Sequence, residues 1–184
     1  MEQLYQKTNT LRVLAFFFEN PYSENYLRQI ARKTCISPSS LSRVLETLHK
    51  LGLVSKRVEK NASFFKANLS AQFKEQKIAY TVSKIAKTKV IEEIQSHSQG
   101  LSAILLYGSA AKGEDDENSD YDFLVVCSSC NVSAESLSQK LGRDVSLKKF
   151  SITKWKNESR RNRAFYLDVI ANSVALFGEK PVID

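Results

Sequence analysis

The sequence predicts an α+β protein with two domains joined by a helix. The first 70 residues combine helical periodicity with two short strands, and residues 71–97 contain neither Pro nor Gly. Beyond residue 100, continuous apolar runs typical of buried strands alternate with polar loops and shorter helical stripes. We therefore place one domain at residues 1–70, a connecting helix at 71–97 and a second domain at 98–184. A chain of 184 residues is long enough for two small cores.

Charge is distributed unevenly along the chain. The protein has 27 Lys+Arg and 20 Asp+Glu, a net charge of +7, yet residues 1–70 carry +6 and residues 101–147 carry −5. A basic segment attracts phosphate backbones, whereas acidic residues clustered in a basic protein often hold a cation. A solvated surface of random charge explains the same totals. The spacing of the residues therefore has to distinguish binding segments from such a surface.

Composition favours a cytoplasmic protein without a membrane segment. The longest apolar run near the start, residues 13–18, is far shorter than the ~20 residues that cross a bilayer, and we expect no signal peptide. Three cysteines are too few for a disulfide framework. Cys127 and Cys130 have metal-ligand spacing, but no matching second pair of ligands follows, so we expect neither zinc nor redox chemistry.

Three helices and a hairpin are predicted at the start of the chain. Apolar residues at helical spacing predict a first helix over residues 8–19, and Ser23 is predicted to cap a second helix that ends near Thr34. Ser37 and Pro38 have the residue types of an N-cap and a first helical position, so a third helix begins there.

The hairpin follows directly. Residues 53–58 and 63–67 read as strands around a turn at 59–62. The order helix, helix, turn, helix, hairpin over residues 26–69 resembles the winged helix-turn-helix domains of prokaryotic transcription regulators, and so does the run from Leu48 to Val54. Reuse of this fold as a protein-interaction or dimerisation module is the alternative.

The resemblance implies binding to duplex DNA. In such domains the third helix lies in the major groove and the wing reaches phosphates. Short hydroxyls with one arginine suit that approach on the helix, and cations suit it on the wing. The predicted DNA-binding residues are Ser39, Ser40, Ser42 and Arg43 on the helix and Lys56, Arg57 and Lys60 on the wing.

The connecting segment, residues 71–97, carries a broken helical stripe of apolar residues. It predicts one long helix or two in tandem. Packing within the chain and an interface in a homodimer both explain such a stripe.

The centre of the chain joins a glycine turn to paired carboxylates. An apolar run predicts a buried strand over residues 102–107, and Gly108 after it permits close approach of the backbone to a ligand. A helix starting at Ser109 would present free N–H groups to a phosphate. Asp120 and Asp122 are two apart on the next strand, so both carboxylates face the same side and suit Mg²⁺. A phosphate site beside two carboxylates matches the needs of two-metal phosphoryl or nucleotidyl transfer.

This stretch resembles the DNA polymerase β-like nucleotidyltransferase superfamily, and more narrowly the minimal nucleotidyltransferases of archaea and bacteria. The matching residues are Gly108, Ser109, Ala111, Gly113, Ser119, Asp120 and Asp122. The resemblance covers residues 85–178 and implies a mixed sheet with flanking helices. Lys112 stands where arginine is common and keeps the positive charge.

The resemblance also implies roles. Asp120 and Asp122 would bind the Mg²⁺ that orients an NTP, and Asp144 on the following strand would complete a second metal site and help deprotonate the acceptor hydroxyl. Attack on the α-phosphorus would release pyrophosphate. The phosphates would be held by Gly108, Ser109, Lys112 and Ser119.

The last segment contains a cationic run and an apolar stripe. Seven cations between residues 148 and 163, opposed by Glu158, suit a polyanionic acceptor or a solvated face. Residues 165–177 predict a closing helix that ends before Gly178.

Three functions are compatible with these patterns. The first is an enzyme that transfers a nucleoside monophosphate from an NTP to a protein or nucleic-acid acceptor. The second is a DNA-binding regulator whose nucleotidyltransferase-like domain senses nucleotide. The third, again by resemblance, is the antitoxin of a toxin–antitoxin pair, which nucleotidylates a helical toxin.

Overall fold

The structure is a computed structural model that describes residues 8–60 and 62–183. The chain forms two compact units, divided between Tyr80 and Thr81. Within the described residues, no helix combines the length and the apolar character needed to cross a membrane.

Helices α1 (Asn9–Glu19) and α3 (Pro38–Lys50) begin where the sequence predicts. The side chain of Thr8 accepts a hydrogen bond from the backbone N–H of Leu11, and Ser37 caps α3 in the same way through Ser40. These caps satisfy backbone donors that have no partner within the helix.

The predicted start of the second helix is wrong. Strand β1 (Asn25–Tyr26) is extended and pairs with Phe64 and Phe65, so α2 (Leu27–Thr34) starts four residues after Ser23. The backbone N–H of Tyr26 donates to the side chain of Gln29, 3.1 Å away, which stabilises the helix start in place of a serine cap.

The hairpin consists of β2 (Val54–Glu59) and β3 (Ala62–Ala67), paired antiparallel. In the predicted turn, Lys60 has a φ of 45°, and Asn61 lies outside the described residues. The three strands take the order β1-β3-β2. Beneath them a core of helix and hairpin side chains is fully buried, including Phe17, Phe18, Leu41, Leu45 and Phe65.

The connecting segment forms two helices, α4 (Ala71–Lys87) and α5 (Val90–Ser96). The break lies at Lys89, whose φ of 57° is incompatible with a continuous helix. The first part of α4 belongs to the first unit: Phe73 is buried in its core, and the Lys77 ammonium donates to the carbonyl of Phe18 at 2.7 Å.

The second unit contains a mixed sheet with helices on both faces, as the sequence predicts. After a short pair formed by β4 (Ser98–Gln99) and β7 (Ser129–Cys130), the main sheet has the order β8-β6-β5-β9. Its strands are β5 (Ala103–Tyr107), β6 (Tyr121–Val126), β8 (Val145–Phe150) and β9 (Val174–Gly178). The β6–β8 pair is parallel, and β5 pairs antiparallel with β6 and β9.

Four helices complete this unit: α6 (Gly108–Lys112), α7 (Ala134–Leu141), α8 (Ile152–Arg161) and α9 (Arg163–Asn172). Alternate strand residues enter two cores. Ile104 and Phe123 pack on the face covered by α5 and α7, whereas Leu105 and Leu124 pack against Trp155 on the opposite face.

The predicted closing helix is too long. Helix α9 ends at Asn172, and the apolar residues that follow form the edge strand β9, which pairs with β5. A short apolar run fits either structure, and the free edge of β5 supplies the backbone partners that select the strand. Gly178 is required there, because a Cβ would lie 2.1 Å from the carbonyl oxygen of Ser102.

Candidate active site

The site predicted from the central residues lies at one edge of the mixed sheet. The C-terminal end of β5 and the N-terminal ends of β6 and β8 meet there. Tyr107 on β5 is opposite Asp122 on β6, and Asp122 is opposite Ser146 on β8. Gly108, the first residue of α6, follows β5 without a loop. The fold thus brings Gly108 to Asp122 although they are far apart in sequence.

Gly108 and Asp122 are in direct contact. A Cβ on Gly108 would lie 2.2 Å from Oδ2 of Asp122, and the φ of Gly108 is +73°. Both the backbone angle and the neighbouring carboxylate therefore exclude a side chain at this position. The Asp122 carboxylate fills the space beside Gly108. Contact between Gly108 and a phosphate stays a prediction.

The two carboxylates of the central pair differ in environment. Asp122 is half-buried, and burial raises the pKa of its carboxyl, to which the charge of Asp120 adds. A hydrogen bond from Ser146 and the charge of Lys148 act on that pKa in the opposite direction. Asp120 is exposed, immediately before β6. A partly desolvated carboxylate beside a second one is an arrangement that a bound cation stabilises.

The structure does not assemble a third ligand. Asp144 is exposed and precedes β8, and its backbone carbonyl accepts the N–H of Tyr121 at 2.9 Å. Within the described ranges, no three His, Cys, Asp or Glu side chains lie close enough to share a metal ion. The pair that the fold brings together is Asp120 and Asp122, and Asp144 as a metal ligand stays a prediction.

Two of the predicted phosphate-binding side chains already have protein partners. The Lys112 ammonium pairs with Asp168 at 2.7 Å, and this contact, with a hydrogen bond from Asn172, lowers the pKa of Asp168. The hydroxyl of Ser119 donates to Asp116 Oδ1 at 2.8 Å. Ser119 would have to give up this bond to donate to a phosphate, whereas Lys112 has further N–H donors besides the one that Asp168 accepts. Ser109 lies half-buried in the first turn of α6.

Sequence reasoning missed a buried ion pair behind the site. Arg143 pairs with Asp115 at 2.9 Å, with side chains that are 9% and 2% exposed. The Arg143 guanidinium also stacks 4.4 Å from the ring centroid of Tyr121. These contacts fasten the loop before Asp120 to the chain before β8. The sequence shows two ordinary charged residues, and their pairing over 28 positions appears only in the fold.

It also missed a group of side chains beside Asp122. The pKa of Tyr107 is raised chiefly by burial and lowered in part by the hydroxyl of Ser146. The ring centroids of Tyr107 and Phe165 are 5.6 Å apart. The Lys148 ammonium lies 4.3 Å from the centroid of Phe165 and 5.8 Å from that of Tyr107. From the sequence, these residues were expected to serve as core or as part of the cationic run.

In the first unit, the predicted DNA-binding residues fall into two groups. On α3, Ser39, Ser42 and Arg43 are exposed, while Ser40 is half-buried and accepts a hydrogen bond from Ser37 at 3.0 Å. These four residues of the first group all lie on α3, the helix that the sequence predicts.

The wing cations are less available. Lys56 pairs with Glu46 at 2.7 Å, and Arg57 pairs with both Glu24 and Glu59. Lys60 is exposed at the tip of the hairpin. The wing therefore presents cations that acidic neighbours partly neutralise.

Comparison with known proteins gives two family matches. The polymerase beta nucleotidyltransferase model matches residues 88–181, and the IclR helix-turn-helix model matches residues 8–57. None of the curated proteins compared with the chain matches it.

The solved structures that resemble this chain have low sequence identity to it. "Crystal structure of the toxin-antitoxin with AMP-PNP" is 23% identical, with a TM-score of 0.39, 54% of this chain covered and 74% of that one. "Crystal structure of NadR in complex with 4-hydroxyphenylacetate" is 23% identical, with a TM-score of 0.39 and coverage of 50% and 64%. The archaeal chromatin protein TrmBL2 is 14% identical, with a TM-score of 0.30 and coverage of 86% and 66%.

The nucleotidyltransferase match spans just over half of the chain and contains the glycine turn, both central carboxylates and the whole mixed sheet. The helix-turn-helix match contains α1, α2 and α3. The chain belongs to the polymerase beta nucleotidyltransferase family and carries an IclR-type helix-turn-helix domain at its N-terminal side.

Proposed function

We propose that the protein is a Mg²⁺-dependent nucleotidyltransferase that moves a nucleoside monophosphate from an NTP to an acceptor hydroxyl. The observation that carries this proposal is the contact of the half-buried Asp122 carboxylate with Gly108, beside the second carboxylate Asp120. Two carboxylate groups at an open sheet edge fit one hard divalent cation whose remaining ligands are water and substrate phosphates.

In this mechanism Asp120 and Asp122 would hold Mg²⁺, which neutralises charge on the triphosphate and makes the α-phosphorus more electrophilic. Gly108 and Ser109 would position the β- and γ-phosphates. Asp144, exposed immediately before β8, would accept the proton of the attacking hydroxyl. The P–O bond to the new acceptor forms as the bond to pyrophosphate breaks.

The test is transfer of label from α-labelled NTPs to macromolecules of a cell extract in the presence of Mg²⁺. We expect a labelled product with the wild type and a loss of at least about a hundredfold with Asp120→Ala or Asp122→Ala, because electrostatic groups at reacting phosphates contribute about that much. Glu117→Ala, which removes an exposed acid of the same loop, is the matched control. Absence of label with every NTP would reject the proposal.

A second function is favoured by one observation: among the described residues no third metal-binding side chain joins Asp120 and Asp122. A site with two carboxylates suits nucleotide binding without turnover. The protein would then be a DNA-binding regulator that senses nucleotide. Nucleotide binding by calorimetry without labelled product, together with a nucleotide-dependent change in DNA affinity, would establish it.

The first unit is proposed to bind duplex DNA through α3 and the wing. The exposed Arg43 and the hydroxyls of Ser39 and Ser42 support this. Contacts to phosphates release counterions, so affinity should fall steeply with salt in a fluorescence-anisotropy titration. Binding that does not respond to salt would reject groove docking.

A further inference from the structure

We propose that strand β8 supplies the site with a hydroxyl and a fixed cation, Ser146 and Lys148, in place of a third carboxylate. The site would then hold one divalent cation, and the Lys148 ammonium would bind the phosphates of the nucleotide. This inference rests on the proposed nucleotide site at Asp120 and Asp122.

The strand register places both residues on the face of the sheet that carries Asp122. Strands β6 and β8 are parallel, with Ser146 opposite Asp122 and Lys148 opposite Leu124. Side chains two apart on a strand point to the same side, and directly paired residues share a face. The residue of β8 that faces Asp122 is therefore a serine.

Ser146 already uses its hydroxyl within the site. It lies directly opposite Asp122 in the strand register, and its hydroxyl lowers the pKa of the Asp122 carboxyl and of the Tyr107 phenol. A neutral hydroxyl in this position holds the carboxylate in place but adds no negative charge for a second Mg²⁺, which prefers anionic oxygen ligands.

Lys148 adds positive charge at the same edge. It is exposed and its ammonium lies on the faces of Phe165 and Tyr107, at 4.3 Å and 5.8 Å from their centroids. It is two residues from Ser146 on β8, on the face of the sheet that carries Asp122, and its charge lowers the pKa of the Asp122 carboxyl. No acidic residue in the described part of the chain forms an ion pair with it.

These contacts select an anion as the partner of Lys148. Aromatic faces orient an ammonium but leave its N–H donors free for an oxygen acceptor. A fixed positive charge close to Asp122 repels a second cation and attracts a phosphate. Strand β8 thus presents groups that bind the triphosphate directly.

The first test counts bound cations. Mn²⁺ replaces Mg²⁺, and free Mn²⁺ is followed by electron paramagnetic resonance in the presence of the non-hydrolysable analogue α,β-methylene-ATP. We expect one Mn²⁺ per chain in the wild type and a second, or a tighter first, in Ser146→Asp. Two Mn²⁺ ions in the wild type would overturn the inference.

The second test does not depend on the fate of the serine variant. Lys148→Met should weaken binding of the same analogue by at least about tenfold, the worth of a charged hydrogen bond, and leave the Mn²⁺ stoichiometry at one. Lys154→Met, which removes an exposed cation of α8, is the matched control and should bind normally. If Lys148→Met and the wild type bind the analogue with equal affinity, this inference is overturned but the proposed function is not. Failure of the wild type to bind either Mn²⁺ or nucleotide would overturn the proposed function and this inference with it.

Discussion

The charged residues of the two candidate sites differ in whether they have a counter-charge. On the wing of the first unit, Lys56 and Arg57 form ion pairs with acidic neighbours. In the second unit, Asp120 and Asp122 form no ion pair with any cation in the described residues. The difference teaches that a charge is available for function only when the fold leaves it without a counter-charge, which a net charge per segment does not reveal.

The largest expected effect is the difference in unfolding free energy lost when a buried and an exposed ion pair are broken. Arg143→Met leaves Asp115, 2% exposed, without its guanidinium, and should cost about 3–5 kcal/mol of unfolding free energy. Arg57→Met on the exposed wing should change that free energy far less, because water screens the ion pair. In urea denaturation, the fluorescence of Trp155 reports the second unit alone, whereas circular dichroism reports the helices of both units. Similar losses in both variants would contradict the comparison.

Glycine variants separate backbone strain from contact with the site. Gly142→Ala, where φ is +62° and nothing lies within 4 Å of a Cβ, should cost about 1–2 kcal/mol. Gly108→Ala has a similar φ but displaces Asp122, so it should cost more and also weaken Mn²⁺ binding by at least about tenfold, as expected for a lost charged contact. Unaltered Mn²⁺ affinity in Gly108→Ala would show that the contact does not position the carboxylate.

Removing an acidic partner should release a wing cation for DNA. We expect Glu46→Gln to tighten duplex binding severalfold, because Lys56 loses the partner that competes with phosphate. Arg43→Ala should weaken binding and lower the salt slope by about one. Glu75→Gln, an exposed acid on α4, corrects for the general change in charge. Equal effects of the two glutamine variants would show that the ion pair does not limit DNA binding.

The smallest effect concerns the stability cost of Asp122. Burial raises the pKa of its carboxyl above 3.8, so the native state keeps this proton at a pH where the unfolded chain has lost it. Stability contributed by this group therefore falls as pH rises through that window, and Asp122→Asn removes the cost. In EDTA at pH 7 the variant should melt at a higher temperature than the wild type, and the gap should close below pH 4. A variant that melts lower at pH 7 would contradict this.

Local patterns predicted most of the elements. Helix starts at Thr8 and Ser37 depend on a cap and the few residues after it, so the sequence was sufficient. The helix cap predicted at Ser23 was wrong because the residues after it form strand β1, which pairs with β3 nearly 40 residues away. The closing helix was wrong for the same reason, since β5 selects the strand conformation for residues 174–178.

The sequence by itself determined the family, most of the elements and the spacing of the two carboxylates, because each depends on residues within short segments. Tertiary structure alone decided the partners of those residues: Gly108 against Asp122, Ser146 opposite Asp122, and Arg143 on Asp115. Strand register and burial join residues that are distant in the chain. They decide which charges are neutralised and which remain free to bind a ligand, because electrostatic interactions depend on distance in space and on access to water.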